Sequence, residues 1–116
     1  MDDCIFCRIV SGKIPANILY QGEEVLAFPD VNPQSPHHIL IIPKKHYSTL
    51  EDVPLKEGMS FIPEMYQAAR QVAAKLGVAE RGYRLVMNVR PEGGQSVFHI
   101  HMHLLGGRQM GPSLIG

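Results

Sequence analysis

Hydrophobic and polar positions alternate along much of this chain, and their spacing predicts five strands. Residues 18–20 and 25–28 predict two short strands around a turn at Gln21-Gly22, and residues 37–46 predict a third. The near-continuous apolar run of the third strand favours burial on both of its faces. Residues 83–90 predict a fourth strand, and residues 97–107, after the turn PEGGQS, predict a fifth.

One long segment has helical periodicity instead. Between Pro54 and Gly77, apolar residues recur at steps of three and four, and Gly77 suits a helix C-cap. Pro63 inside the segment predicts either a kink or a helix that begins there. The predicted apolar stripe consists of Met59, Ile62, Met65, Tyr66, Ala69, Val72, Ala73 and Leu76. With a shorter helix expected within residues 3–12 and hairpin-length links between strands, the pattern favours an α+β fold with an antiparallel sheet.

Composition narrows the range of functions. With 116 residues, 45% of them hydrophobic, the chain suits a single domain with a modest core. Its 11 basic and 11 acidic residues balance, which argues against nucleic acid or a membrane surface as partner. The first residues, MDDCIFC, lack the features of a signal peptide, and no apolar run approaches the roughly 20 residues of a membrane span. Two cysteines are too few for a disulfide framework, so we expect a cytoplasmic protein.

The segment FHIHMHLLGG, residues 98–107, carries His99, His101 and His103 at every second position. Side chains of a strand alternate between its faces, so the three imidazoles share one face and the apolar spacers occupy the other. Neighbouring imidazoles repel one another when protonated and need partners when neutral, which makes a purely structural role unfavourable. The pattern therefore indicates either a metal site or a catalytic strand.

The turn PEGGQS comes directly before this strand. Gly93 and Gly94 allow close approach of the backbone, so that successive N–H groups can point into an anion-binding concavity. The side chains of Gln95 and Ser96 would add donors at the same place. The turn and the histidines together predict a place where phosphate oxygens lie beside a nucleophile.

These motifs resemble those of the histidine triad family. HIHMHLL fits the family pattern of three histidines with apolar spacers, and the similarity extends through GGQSVFHIHMHLLGGR and PHHILIIPKKH to nearly the whole chain. The chain is most similar to the histidine triad nucleotide-binding branch, whose members are nucleoside phosphoramidases or nucleotide hydrolases. The resemblance implies a five-stranded antiparallel sheet with one long and one short helix.

The resemblance also implies a mechanism in which His101 is the nucleophile. Its ring nitrogen attacks the α-phosphorus of a nucleoside monophosphate ester or amide, a nucleotidyl-histidine intermediate forms, and water then releases the nucleotide. A neutral imidazole suits this role near pH 7. His103 and His38 are implied as catalytic histidines at the phosphate, and Ser96 as a hydrogen-bond donor near the leaving group.

The implied substrate contacts divide by chemistry. Asp30 is the implied ribose-binding acid, Asn88 a phosphate contact, and Gly94, Gln95 and Val97 lie where backbone amides approach the phosphate. The residues implied to pack against the nucleobase are apolar: Ile5, Phe6, Ile9, Phe28, Val31 and Leu40.

Cys4 and Cys7 form a Cys-x-x-Cys motif, which by itself fits a redox pair, half of a zinc site or two buried thiols. No βαβ pattern surrounds the motif, which disfavours the redox pair. In some branches of the superfamily that this chain resembles, two histidines complete such a pair. The resemblance therefore implies a structural zinc ion, with no cofactor required for catalysis, at Cys4, Cys7, His46 and His99.

The function implied by the resemblance is hydrolysis or transfer at the α-phosphate of a purine nucleotide, with AMP, GMP or an adenosine phosphoramidate as partner. A dinucleoside polyphosphate hydrolase and a non-catalytic nucleotide-binding or partner-binding module are the alternatives. The resemblance further implies a homodimer in which the long helix and the fourth strand pair into a ten-stranded sheet, and residues 60–76 offer suitable apolar area. The C-terminal GRQMGPSLIG resembles a tail that reaches the partner subunit's site.

Overall fold

A computed structural model describes residues 3–112 and contains one antiparallel sheet of five strands in the order β1-β2-β3-β5-β4. The strands are β1 (Tyr20–Gln21), β2 (Val25–Pro29), β3 (His37–Pro43), β4 (Arg84–Val86) and β5 (Met102–Gly106). The helices are α1 (Ile5–Val10) and α2 (Leu55–Leu76), with short 3-10 turns at Leu50–Asp52 and Pro91–Gly93. The predicted α+β fold with one long and one short helix is confirmed.

The two faces of the sheet carry different layers. Val25 and Ala27 of β2 pack with α2 in the larger core, whereas Leu26 and Phe28 of the same strand pack with Phe6 of α1 on the other face. The same division holds for β5, because Met102 and Leu104 lie in the α2 core. β3 is buried along nearly its whole length, as its apolar run predicts. The side chains of β5 that point away from α2 therefore face the α1 layer.

The ends of the strands differ from the prediction, and β3 ends at Pro43 and not at residue 46. β5 begins at Met102 and not at residue 97, because the chain bends at residues 97–99 and the N–H of Ile100 donates to the carbonyl of Tyr47 at 2.9 Å. β4 spans Arg84–Val86 and not residues 83–90, and its last residue, Val86, pairs with His103 near the start of β5. β1 spans Tyr20–Gln21 rather than residues 18–20.

The long helix follows its predicted limits but not all of its predicted stripe. α2 runs from Leu55 through Pro63 to Leu76, and Gly77 closes it with a φ of 77°. It neither begins at Pro63 nor ends there, and the proline lies on the exposed side. Met59 and Tyr66 are 69% and 52% exposed, so their predicted place in the core is wrong. The stripe that faces the sheet contains Phe61, Met65, Ala68, Ala69, Val72 and Ala73.

Within residues 3–112, none of the helices combines the length and the apolar character that crossing a membrane requires.

Candidate functional site

A cavity of about 760 Å³ lies between α1 and the face of the sheet that carries the histidines. Its lining includes twelve of the residues that the sequence singled out: Ile5, Phe6, Ile9, Phe28, Asp30, Val31, His38, Leu40, Ser96, Val97, His101 and His103. The cavity therefore has an apolar end and a polar end. The side chains of α1 and the neighbouring strand positions are apolar, whereas Asp30, His38 and His103 cluster at the other end with their ligand atoms within 4.8 Å of one another.

Several lining residues were not identified from the sequence. They come from the segment after α1 and from the loop between β2 and β3: Ile14, Pro15, Ala16, Asn17, Pro29, Asn32 and Gln34. These residues have no periodic pattern and no chemical motif of their own. Only the resemblance of the segment IPAN to an equivalent segment in the family could have pointed to them.

His101 is 4% exposed, and one of its ring nitrogens is committed to the backbone. Its Nδ1–H donates to the carbonyl of His99, two residues earlier, at 2.8 Å. This bond fixes the neutral tautomer in which Nε2 has no proton and carries a free lone pair. His101 also lines the cavity, so its environment is that of a nitrogen nucleophile.

His38 and His103 form a directional chain of hydrogen bonds. The N–H of Gln34 donates to Nδ1 of His38 at 3.0 Å, so neutral His38 carries its proton on Nε2. That nitrogen lies 2.8 Å from Nδ1 of His103, to which it can donate. Neutral His103 then keeps its proton on Nε2, where it is available as a donor to an anion.

Burial keeps these two rings neutral. It is the main reason that the pKa of His38 is lowered, although the carboxylate of Asp30 opposes the shift. The pKa of His103 falls to about 4, first because of burial and then because of the neighbouring rings of His101 and His38. Both histidines therefore act as hydrogen-bond donors at neutral pH rather than as fixed positive charges.

Asp30 directly follows β2 and lines the cavity. Its Oδ1 accepts from the N–H of Asn32 at 2.8 Å, and its Oδ2 lies 3.4 Å from Nε2 of His38. The side chain is 19% exposed, so the carboxylate retains accepting capacity toward a ligand.

Gln95 does not contribute its side chain to the cavity, and the expectation that it adds a donor beside Ser96 is wrong. The side chain is 6% exposed, and its amide donates to the carbonyls of Ser48 and Val97 at 2.7 and 3.0 Å. Its oxygen accepts from the N–H of Arg90 at 2.7 Å. Gln95 thus fixes the loop before the histidine strand. Asn88, Gly94 and Gln95 all lie outside the cavity lining, whereas Ser96 and Val97 belong to it.

A second cluster, the Cys/His cluster of Cys4, Cys7, His46 and His99, lies beside the cavity with all four ligand atoms within 4.8 Å of one another. Nδ1 of His99 lies 3.4 Å from Sγ of Cys4 and 3.2 Å from Nδ1 of His46. Sγ of Cys7 lies 3.3 Å from Nδ1 of His46 and 3.6 Å from Nδ1 of His99. Tetrahedral zinc with two sulfur and two nitrogen ligands separates neighbouring ligand atoms by roughly 3.3–3.8 Å. The donor set and its spacing therefore fit zinc.

The protonation state of His99 also fits a metal ligand, and the pKa of Cys7 disfavours a redox pair. His99 is fully buried, its Nε2–H donates to the carbonyl of Pro43 at 2.8 Å, and Nδ1 is left as the free ligand atom. Burial lowers the pKa of His99 to about 4, which keeps the ring neutral. Burial and then Cys4 raise the pKa of Cys7 to about 11, whereas reactive redox cysteines have a lowered pKa. The two thiols are free, and their environment disfavours a redox pair.

Comparison with known proteins finds similarity over nearly the entire chain. The family model described as the HIT domain matches residues 11–110. A protein of Escherichia coli strain K12 named purine nucleoside phosphoramidase is 47% identical, and the alignment covers 97% of this chain and 94% of that protein. An uncharacterized HIT-like protein of Synechococcus elongatus is 43% identical over 94% of each chain.

Solved structures are also similar to this chain over nearly its whole length. A HIT family hydrolase from Legionella pneumophila Philadelphia 1 has a TM-score of 0.89 and 48% identity, covering 94% of this chain and 96% of its own. A histidine triad protein from Clostridium difficile has a TM-score of 0.92 and 41% identity, covering 97% of each chain.

Proposed function

This chain belongs to the HIT domain family, and we propose that it is a nucleotide hydrolase of the purine nucleoside phosphoramidase type. The observation that carries the proposal is the free Nε2 of His101 in a cavity that also contains the donor His103. The relative from Escherichia coli supports the choice of a phosphoramidate as substrate, because its name states that activity and its sequence aligns with 97% of this chain.

In the proposed reaction, Nε2 of His101 attacks the α-phosphorus, and the bond between phosphorus and the leaving nitrogen breaks as that nitrogen takes up a proton from solvent and leaves as an amine. The imidazole gains a positive charge in the covalent intermediate. Its Nδ1–H already donates to the carbonyl of His99, and this bond strengthens as the charge develops. Water then attacks the same phosphorus, the bond to Nε2 breaks, and the nucleoside monophosphate leaves with His101 regenerated. The water of this second step returns a proton to solvent.

His103, His38 and Ser96 assist at the phosphate. The chain of donors from the N–H of Gln34 through His38 leaves the Nε2–H of His103 to bind a non-bridging phosphate oxygen. The hydroxyl of Ser96 lies in the cavity lining, where it would donate to the leaving nitrogen as negative charge develops there. Asn88 and the backbone amide of Val97 are further proposed phosphate contacts of a bound nucleotide. The expected contacts from the amides of Gly94 and Gln95 are wrong, because their N–H groups donate to the carbonyls of Pro91 and Arg90 at 3.0 and 3.1 Å.

The nucleoside part would occupy the rest of the cavity. The carboxylate of Asp30 would accept hydrogen bonds from two ribose hydroxyls, and the purine would pack against the apolar wall. That wall consists of Ile5, Phe6, Ile9, Phe28, Val31, Leu40 and Val97, of which all but Val97 were proposed from the sequence as base contacts.

Zinc at the Cys/His cluster is proposed as a structural ion. It would be held by Cys4, Cys7, His46 and His99, and it would link the N-terminal helix to the sheet. When bound, such an ion supplies folding energy rather than a reactive water, because four protein ligands leave no open position.

Assembly and location are further proposals. We propose a cytoplasmic homodimer that pairs α2 and β4 with the same elements of a partner subunit, since β4 lies at an edge of the sheet and Met59 and Tyr66 of α2 are exposed. The proposed role of the C-terminal tail at the partner's site concerns residues 107–116, of which residues 113–116 lie outside the described part of the chain.

The decisive experiment compares substrates on purified protein. We expect adenosine 5′-phosphoramidate to be hydrolysed to AMP with a kcat/KM at least tenfold above that of a dinucleoside triphosphate, a margin of roughly 1.4 kcal/mol. A larger kcat/KM for the dinucleotide would favour the polyphosphate hydrolase, and tight AMP binding without turnover of either substrate would favour a binding module.

A further inference from the structure

Helix α1 belongs to two sites at once. Cys4 caps its N-terminus by accepting the N–H of Cys7 at 3.3 Å, and both cysteines are part of the Cys/His cluster. Ile5 and Ile9 on the same helix line the cavity. A six-residue helix is not stable on its own, so the position of α1 depends on the groups to which it is tied.

Phe6, which lies between the two cysteines in sequence, contacts residues of both sites. The buried ring of Phe6 meets the ring of His99 edge to face with a centroid distance of 5.7 Å. It meets His101 in the same way at 5.3 Å and Phe28 at 5.8 Å. One ring therefore contacts a ligand of the Cys/His cluster, the proposed nucleophile and the apolar wall.

We infer that zinc occupancy of the Cys/His cluster and binding of the nucleoside are energetically coupled through α1, with Phe6 as the positioning residue. Zinc holds α1 against the sheet, and α1 so held forms one wall of the nucleoside end of the cavity. Linkage requires the reverse as well: a bound nucleoside that rests on α1 holds zinc more tightly by the same factor. This inference rests on the proposed nucleotide-binding function.

The coupling should belong to the nucleoside end and not to the phosphate end. The phosphate donors His38 and His103 belong to β3 and β5, which pair with each other in the sheet without α1. His101, which Phe6 also contacts, is held independently of α1 by its own bond to the carbonyl of His99. The apolar residues of α1, by contrast, have no ladder to hold them, and Phe6 is held by packing with side chains of β2, β3 and Val97 in its core cluster. Adenosine should therefore be coupled to zinc, and inorganic phosphate should not.

The test measures zinc release from the reduced, zinc-loaded full-length protein into a chromogenic chelator, which requires no stable metal-free protein. With saturating adenosine we expect release to slow roughly fivefold or more, whereas saturating inorganic phosphate leaves the rate unchanged. An unchanged rate with adenosine would overturn the inference. Equal slowing by phosphate would overturn the assignment to α1, and a protein that takes up no zinc would overturn it too.

Two variants test whether the coupling depends on Phe6 itself or on the packing of this core in general. Phe6→Leu and Phe28→Leu each remove one ring from the same small core, but only Phe6 contacts His99. At saturating adenosine we expect Phe28→Leu to keep the slower zinc release and Phe6→Leu to lose it; retention in both variants would contradict a positioning role for Phe6. Calorimetry on the same samples distinguishes failure of the proposed function from failure of the coupling. A protein that binds neither adenosine nor AMP would contradict the proposed function. A protein that binds adenosine without slower zinc release would contradict only the coupling.

Discussion

His101 is oriented by a hydrogen bond to the backbone rather than to a carboxylate, and this bond places the lone pair of the neutral ring on Nε2. We predict that His101→Ala lowers kcat for adenosine 5′-phosphoramidate by roughly 10³-fold or more, because the other two cavity histidines carry their proton on Nε2 and have no lone pair free for attack. AMP affinity should change only a few-fold, since the apolar wall and Asp30 remain. Stopped-assay kinetics and calorimetry measure the two quantities.

His37 provides the matched control for that substitution. It lies on β3 beside His38, but it is not part of the cavity lining, and we expect His37→Ala to retain the unmodified kcat. A His101→Ala protein with substantial turnover would refute the nucleophile assignment.

His103 makes stability depend on pH in a defined window. Its pKa is about 4 in the folded protein against 6.5 for an ordinary histidine, so the unfolded chain takes up a proton that the folded chain does not. The contribution of neutral His103 is complete above pH 6.5 and is lost as the pH falls toward 4. We predict that the free energy of unfolding, measured with urea at pH 7, 6 and 5, falls less steeply in His103→Gln than in the unmodified protein. Equal slopes would contradict the lowered pKa.

The sequence predicted the side of the sheet that the three histidines share, but it did not predict where the side chain of Gln95 points. His99, His101 and His103 all lie on the α1 side as their spacing predicts, although only His103 belongs to β5. The inward turn of Gln95 could not be anticipated, because it depends on the carbonyls of Ser48 and Val97, and Ser48 is 47 residues away in sequence.

At the scale of elements, local pattern predicted the existence of each helix and strand, and tertiary contacts set their limits. The turn at Gly77 was predictable because a left-handed C-cap is a local requirement. The start of β5 was not, since it depends on the bond from the N–H of Ile100 to the carbonyl of Tyr47, which is distant in sequence. The exposure of Met59 and Tyr66 was missed because helical spacing identifies apolar residues without showing which of two adjacent stripes meets the sheet.

Pro63 is a local defect in α2 that the fold tolerates. It lacks the N–H that would bond the carbonyl four residues earlier, and it lies on the exposed side of the helix. We predict that Pro63→Ala raises the free energy of unfolding by about 1–3 kcal/mol. Urea denaturation at fixed protein concentration measures the change, with the exposed Gln67→Ala on the same helix as control, expected within about 0.5 kcal/mol. A less stable Pro63→Ala would show that the ring makes a contact worth more than the missing bond.

The link between α1 and the sheet should depend on metal. We predict that Cys7→Ser lowers the Tm by roughly 10 °C, because a ligand at 100 times its Kd stabilises a fold by about 2.7 kcal/mol. Turnover per folded molecule at saturating substrate should fall less than stability does, because no zinc ligand touches the phosphate. A chelator should lower the Tm of the unmodified protein and leave that of Cys7→Ser unchanged; a chelator-insensitive, metal-free protein of full stability would refute the zinc proposal.

At the scale of the whole molecule, the sheet separates two layers of side chains that have different roles. The α2 side holds the larger core, and the α1 side holds the cavity and the Cys/His cluster. β5 serves both sides, because its alternate side chains enter the core and the cavity. Function therefore uses one face of the sheet and leaves the outer side of α2 and the edge strand β4 available for assembly.

A dimer would use the edge strand β4 and the outer side of α2. An unpaired edge strand beside exposed apolar side chains is unfavourable in an isolated subunit, and pairing with a second copy across β4 and α2 would cover both. We predict that sedimentation equilibrium gives twice the 12.9 kDa of the chain, and that Tyr66→Glu shifts the protein toward monomer by placing a charge in the interface. Val31→Glu, at a fully exposed position on the cavity side, is the matched control and should leave the dimer intact. A monomeric unmodified protein, or a Tyr66→Glu dimer of unchanged affinity, would exclude this surface as the interface.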